Sequence, residues 1–409
     1  MITHRQLLTA LLALVVTSAE AWDGVFVPAP DYTVAADMAS TSPASAVMQD
    51  GRVAIANGYA IHVFDPAHST VTRAATIPFS LPDASFVALL DGKALLIGGF
   101  YRMDRGIVFD PMNNSVVATQ SLSTPRVWPS VTRLADGKIM IAGGCTTNTC
   151  ATQLAKTEIY DPATGAFSSG PSMLQRRFHH SATLLANGRV LIYGGLGNAA
   201  GAPDSSSVYA LDSAEIYDPS TNSFTYTHTP DGQQTYMWWS RSEHTATLLK
   251  NGSVMLCGGR QIGTTDYGVS YSCDVYKPAT GQICSYPPVP GGCEGIGLPY
   301  GSGAMDHTAT ALTDGTMLIA GGIDNMWPIP KATARVIDPA TGTSHEVSSM
   351  AYARRGAAAV RLLDGSVLMI GGQTTPTPPD PSLPYASYPW TPTMERYVPD
   401  DIFKDAFEH

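Results

Sequence analysis

Three residues able to serve as acid, base or metal ligand, His179, Glu243 and Asp306, each stand nine residues before a turn glycine, at Gly188, Gly252 and Gly315. The same offset elsewhere in the chain falls on Ser42, Asp83, Trp128 and Gly356. An imidazole and two carboxylates brought together would hold a cation or pass a proton between acid and base. They would equally well make a solvated, mixed-charge surface, and no ligand spacing of the kind that identifies a zinc site accompanies them. A bound cation at this position stays open; no other cofactor is expected.

Two residues before that position, four copies carry arginine: Arg126, Arg177, Arg241 and Arg354. Guanidinium groups gathered near one axis would favour a carboxylate or sulfate ligand. Pairing with Glu243 and Asp306 is the alternative. One residue after the position, His180, His244 and His307 recur with the sequence around them, each followed by Ser/Thr-Ala-Thr. A histidine that repeats with its surroundings reads as a scaffold hydrogen bond.

The elements that position these residues are repeats. An apolar strand runs from each turn glycine to a glycine pair, and the pair begins six residues on in Gly92/Gly98, Gly137/Gly143, Gly188/Gly194, Gly252/Gly258, Gly315/Gly321 and Gly365/Gly371. A degenerate seventh copy runs from Gly51 to Asn57-Gly58. Each is followed by an aromatic or aliphatic residue, one residue, then proline, as in Phe64-Asp65-Pro66 and Tyr160-Asp161-Pro162. That is the end of a third strand and its turn. A period of about 45 to 65 residues suits four-stranded propeller blades.

The glycine-pair strand and the Tyr-Asp-Pro-Ala-Thr-Gly turn resemble the kelch repeat over almost the whole chain. The resemblance implies an all-β, seven-bladed propeller of four-stranded antiparallel blades. The last copy runs out near Pro399, so an N-terminal strand, Asp31 to Ala36, is expected to supply its outer strand and close the ring. The expected division is an export signal over 1–21, a propeller over 22–400 and a tail over 401–409. The segment from Pro171 to Arg177, with Ser181-Ala182-Thr183 and Gly188-Arg189-Val190, is similar to a repeat of the galactose oxidase and glyoxal oxidase families. Those secreted copper-radical enzymes need a cysteine cross-linked to a tyrosine, a second tyrosine and two histidines. By register their cysteine falls on Trp128 and their cross-linked tyrosine on His179, so copper-radical activity is not expected to transfer.

Spacing separates scaffold from function. Proline to the next turn glycine is 26 residues in four of six cases, but 33 from Pro219 to Gly252 and 37 from Pro278 to Gly315. The glycine-pair-to-proline distance also varies, from 9 to 28. In an up-and-down blade both variable loop classes leave the same face, where binding usually resides. Trp128, Trp238, Trp239, Trp327 and Trp390 lie in or beside those loops. Their rings suit sugar stacking, or else plug the channel and pack the loops.

Composition narrows the partners. With 24 Lys+Arg against 34 Asp+Glu, general affinity for nucleic acid or anionic membrane is disfavoured. Arg5, the apolar stretch Leu7 to Val16 and Ala19-Glu20-Ala21 read as an export signal, too short to span a bilayer. Six cysteines in an exported chain are expected to pair. Neighbour pairing, Cys145–Cys150, Cys257–Cys273 and Cys284–Cys293, is the expected scheme among fifteen. Asn113-Asn114-Ser115 and Asn251-Gly252-Ser253 match the N-glycosylation acceptor. The leading reading is a secreted, extracellular or periplasmic, module that binds a glycan, small anionic ligand or protein. The alternatives are an enzyme using His179, Glu243 and Asp306, or a structural extracellular protein.

Overall fold

The computed structural model describes residues 24–32, 42–79, 81–100, 104–198, 208–229, 231–237, 239–262, 267–286, 288, 293–299, 302, 305–324, 329–374 and 389–400. Seven antiparallel sheets form a ring of blades, each built on the four-stranded unit the repeat implies. Two short two-stranded sheets, Leu196–Gly197 with Tyr209–Ala210 and Arg260–Ile262 with Tyr267–Val269, stand beside them. The innermost strands are Ala44–Val47, Ser85–Ala88, Ser130–Arg133, Ser181–Leu184, Thr245–Leu248, Thr308–Ala311 and Ala358–Arg361, in blades 1 to 7. Each touches the next, and the seventh returns to the first. Blade 5 carries a short extra pairing, Ile296–Gly297.

The burial pattern explains why glycine-pair strands are apolar at every residue. Strands such as Ile139–Ala142 and Val190–Tyr193 are buried on both faces because a neighbouring blade packs against each. The core is accordingly a set of slabs between blades. Val53, Ile55 and Phe64 of blade 1, for example, pack on Leu368, Ile370 and Met394 of blade 7. Fully burying one such side chain contributes about 1.5–3 kcal/mol. The turns repeat as well. Asp65, Asp110, Asp161, Asp218 and Asp338 each accept the N–H two residues on, which fixes the turn into the outer strand.

Ring closure differs from expectation in its strand. The outer strand of blade 7 is Val25–Ala29, paired with Met394–Val398 in the register Val25 to Val398. Asp31 and Tyr32 are not in a strand, and 33–36 lie outside the described residues. Pro28 argues against a strand in sequence, but the outer edge of a sheet tolerates a residue without an N–H.

All three neighbour disulfides form. Cys257 and Cys273 face each other across two strands with α-carbons 4.0 Å apart, closer than the usual disulfide range because the pair sits directly opposite in register. The expected export signal and tail lie outside the described residues. Among the described residues no helix is long and apolar enough to cross a membrane.

Candidate functional site at the axial mouth

Each inner strand starts on the face that carries the variable loops, called here the loop face. The residue just before it sits at the rim of the axis. At this position Asp83, Trp128, His179, Glu243, Asp306 and Gly356 all have φ between 51° and 58°. The left-handed conformation costs a non-glycine residue roughly 1–2 kcal/mol. Hydrogen bonds between blades hold it: Glu243 donates its N–H to the His179 carbonyl (3.1 Å), and Gly356 donates to Asp306 (2.9 Å). The same φ at Gly356, which has no side chain to place, shows that this turn belongs to the repeat.

The structure brings His179, Glu243 and Asp306 to this mouth, each side chain about a quarter exposed. His179 Nε2 stands 4.0 Å from Glu243 Oε1. Arg355 pairs with Asp306 at 2.9 Å, and Arg260 approaches Glu243 at 3.4 Å. Burial pushes the Glu243 carboxyl up, with Arg260 and Arg355 opposing it. Asp306 is likewise raised by burial, with Arg355 pulling down and Glu243 adding to the rise. Burial and then Arg260 lower His179 to about 4, so it is neutral at pH 7. Asp83 is raised by burial too, although the Ser42 N–H hydrogen-bonds it. Among the described residues no group of three or more His, Cys, Asp or Glu side chains is arranged to hold a metal ion.

Arg260 and Arg355 escape a reading by repeat position alone, although a signal exists. Arg260 directly follows the pair Gly258-Gly259, where other copies carry Phe100, Cys145, Leu196, Ile323 and Gln373. A lone cation at a scaffold position is the mark to look for.

The four repeated arginines are elsewhere, and a ligand role does not fit them. Arg126, Arg177, Arg241 and Arg354 are wholly buried, and their partners are not Glu243 and Asp306. They pair with Glu158 (2.7 Å), Glu215 (2.6 Å), Asp274 (3.0 Å) and Glu395 (2.6 Å) of the third strands. Each also donates Nη1 to a glycine-pair carbonyl of its own blade: Gly143, Gly194, Gly258 or Gly371. The three glutamates accept backbone N–H groups from the preceding linker, as Glu215 does from Leu174 and Gln175, whereas Asp274 accepts the Tyr193 hydroxyl instead. Only a complete set of such partners makes a buried charge tolerable. The pairing is visible in sequence: blades 3, 4, 5 and 7 carry both the arginine and an acid two residues before the third-strand tyrosine. His62, Ile107 and Arg335 take the acid's place in the other three blades, which have no such arginine.

The repeated histidines also belong to the scaffold. His180, His244 and His307 share Nε2 hydrogen bonds of 2.8, 2.8 and 2.9 Å with Ser130, Ser181 and Thr245 of the preceding blade.

The aromatic residues divide. Trp128 is wedged among rings, stacked on His179 at 4.6 Å and 28°, with Phe178 and Phe100 nearby. Trp390 lies over Gly356, its ring 3.7 Å from where a Cβ would be. Trp239 is exposed (44%). Trp238 and Trp327 lie outside the described residues.

The Kelch motif family model matches residues 134–174, from the turn after the blade 3 inner strand to just beyond its outer strand. The chain folds as a seven-bladed propeller, and part of its third blade matches the kelch motif. No curated protein matches it in sequence. Among solved structures the propeller is similar to one described as a novel fungal alcohol oxidase with catalytic diversity among the AA5 family, in complex with copper. The TM-score is 0.65 at 16% identity, covering 92% of this chain and 76% of that one. At that identity the likeness is one of fold. The residues of this propeller do not fit a copper-radical centre. All six cysteines are held in disulfides, so none is free to form a thioether with a tyrosine.

Proposed function

We propose that the protein is a secreted binding propeller whose axial mouth takes a polyhydroxylated, glycan-type ligand. The supporting observation is the half-buried ring of Glu243, Arg260, Asp306 and Arg355 beside Trp128 and His179. Carboxylate acceptors alternating with guanidinium donors match vicinal hydroxyl groups, which donate and accept at once. Aromatic rings at the rim, Trp239 and Trp390, supply faces for sugar rings. Three disulfides agree with an oxidising compartment. A glycan array with the purified protein is the test, repeated with Arg260→Ala and Glu243→Gln. Discrete glycans retained by the wild type and lost by both variants are expected. Retention unchanged in both variants would move the site elsewhere.

An enzyme using the same mouth is the second reading, favoured by the raised Glu243 and Asp306 carboxyls beside a neutral His179. It predicts turnover of a bound glycan that fails in His179→Ala. With every cysteine in a disulfide, copper-loaded protein is expected to release no peroxide from alcohols or aldehydes.

A further inference from the structure

The axial channel opens again on the opposite face, where the tight glycine turns lie, and its character changes there. Inner strands of blades 1 to 4 line an open depression of about 410 Å³, with Val47, Phe86, Val131, Ala182 and Leu184 beside Thr132 in its wall. Small-molecule sites commonly occupy roughly 300–1,000 Å³ and are mostly apolar with a few placed polar groups. The placed group here is Arg133, the last residue of its inner strand, which also lines the cavity. Its Nη1 donates to the Ala88 carbonyl at 2.7 Å, fixing the guanidinium beside the cavity.

Arg133 shares its position with Arg361 of blade 7, whose Nη1 donates in the same way to the Ala311 carbonyl at 3.1 Å, but only Arg133 lines this cavity. Arg52, Lys93, Lys138, Arg189 and Arg396 each have an aspartate partner. Arg133 has no carboxylate partner among the described residues. Two residues beyond Ala88, Leu90 is 60% exposed against Gly137, so the apolar surface continues outside the strand ends. A fixed guanidinium with unused donors at the end of an apolar cavity matches one ligand chemistry: a carboxylate on an aliphatic chain.

We propose that the turn-face end of the channel binds a small aliphatic carboxylate, its chain in the cavity and its head group on Arg133. The site is separate from the axial mouth on the loop face and does not depend on the reading given for that mouth. Isothermal titration of the full chain with octanoate tests it, beside octanol and acetate as probes lacking the head group or the chain. Octanoate should bind at least tenfold tighter than either. Arg133→Gln should weaken octanoate about tenfold, and Arg133→Lys should restore part of the loss. Val131→Trp, which fills the cavity, should abolish binding while leaving the loop-face Glu243 and Arg260 untouched. If Val131→Trp does not fold, the Arg133 pair decides alone. Octanoate heats absent in the wild type, equal affinity for octanol, or affinity unchanged in Arg133→Gln would each overturn the proposal.

Discussion

Two sets of arginine–carboxylate pairs lie within one disc and serve opposite ends. The blade latches are buried on both sides, 2.6–3.0 Å apart and repeated in four blades, Arg177–Glu215 being 0% exposed at both ends. The axial pairs, Arg260–Glu243 and Arg355–Asp306, are part-exposed, and among the described residues no other arginine pairs with the acid just before an inner strand. The latches direct their Nη donors at backbone carbonyls and buried carboxylates, and at 0% exposure no ligand reaches them. The axial groups keep exposed edges. In a repeat protein a charge that recurs with its partner is scaffold, whereas a charge that breaks the repeat belongs to a site.

The largest expected effect concerns what holds both sets in place. Deleting Val25–Ala29 removes the outer strand of blade 7 and exposes Tyr397, which is wholly buried in the closed ring. The whole disc should lose its cooperative transition, measured by calorimetry. A truncated chain melting like the full one would show that closure lies elsewhere.

Next comes the latch itself. Arg177→Met leaves Glu215 buried without its cation and should cost about 3–5 kcal/mol in chemical denaturation. Adding Glu215→Leu should recover only part, because Leu174 and Gln175 then lose their acceptor. Full recovery would mean the pair contributes no more than its packing.

Blade 5 offers a finer comparison within the latches. Its acid is the shorter Asp274, and Tyr193 of blade 4 donates a hydroxyl to it at 2.7 Å. Tyr193→Phe should cost about 1–3 kcal/mol, the penalty for losing a buried partner. A neutral result would show that Arg241 alone satisfies Asp274.

Histidines sharpen the contrast by pH. Burial, then Arg241, lowers His244 to about 3, and burial lowers His179 to about 4. A lowered histidine stabilises the fold above its ordinary value near 6.5, and that contribution is lost as pH falls toward the folded value. Thermal midpoints should therefore fall from pH 6.5 to 4, and His244→Asn and His179→Asn should each flatten the fall. Equal slopes in all three proteins would contradict the assignment.

Much of this was legible in the sequence, and the failures have physical causes. Offsets of six and nine residues give the register, and register alone placed His179, Glu243 and Asp306 at one rim. It could not place Arg260 or Arg355, which reach the mouth from neighbouring positions along long side chains. The arginine latches were misread because a guanidinium near an axis looks like an anion site until its own carboxylate is found. The co-occurrence of Arg177 with Glu215, and its absence with Ile107, carried that information. The closing strand was missed by position because Pro28 conceals a strand that only an outer edge permits.

The smallest expected effect on stability accompanies the largest on binding. Arg260→Ala should shift the unfolding free energy by no more than about 0.5 kcal/mol, as for other part-exposed ion pairs. The most direct measurement is the glycan array run with wild type, Arg260→Ala and Glu243→Gln at matched folded concentration. A discrete glycan set bound by the wild type and lost in both variants is the predicted result. A set retained equally by all three proteins, or no glycan retained by the wild type, would contradict a binding mouth at the propeller axis.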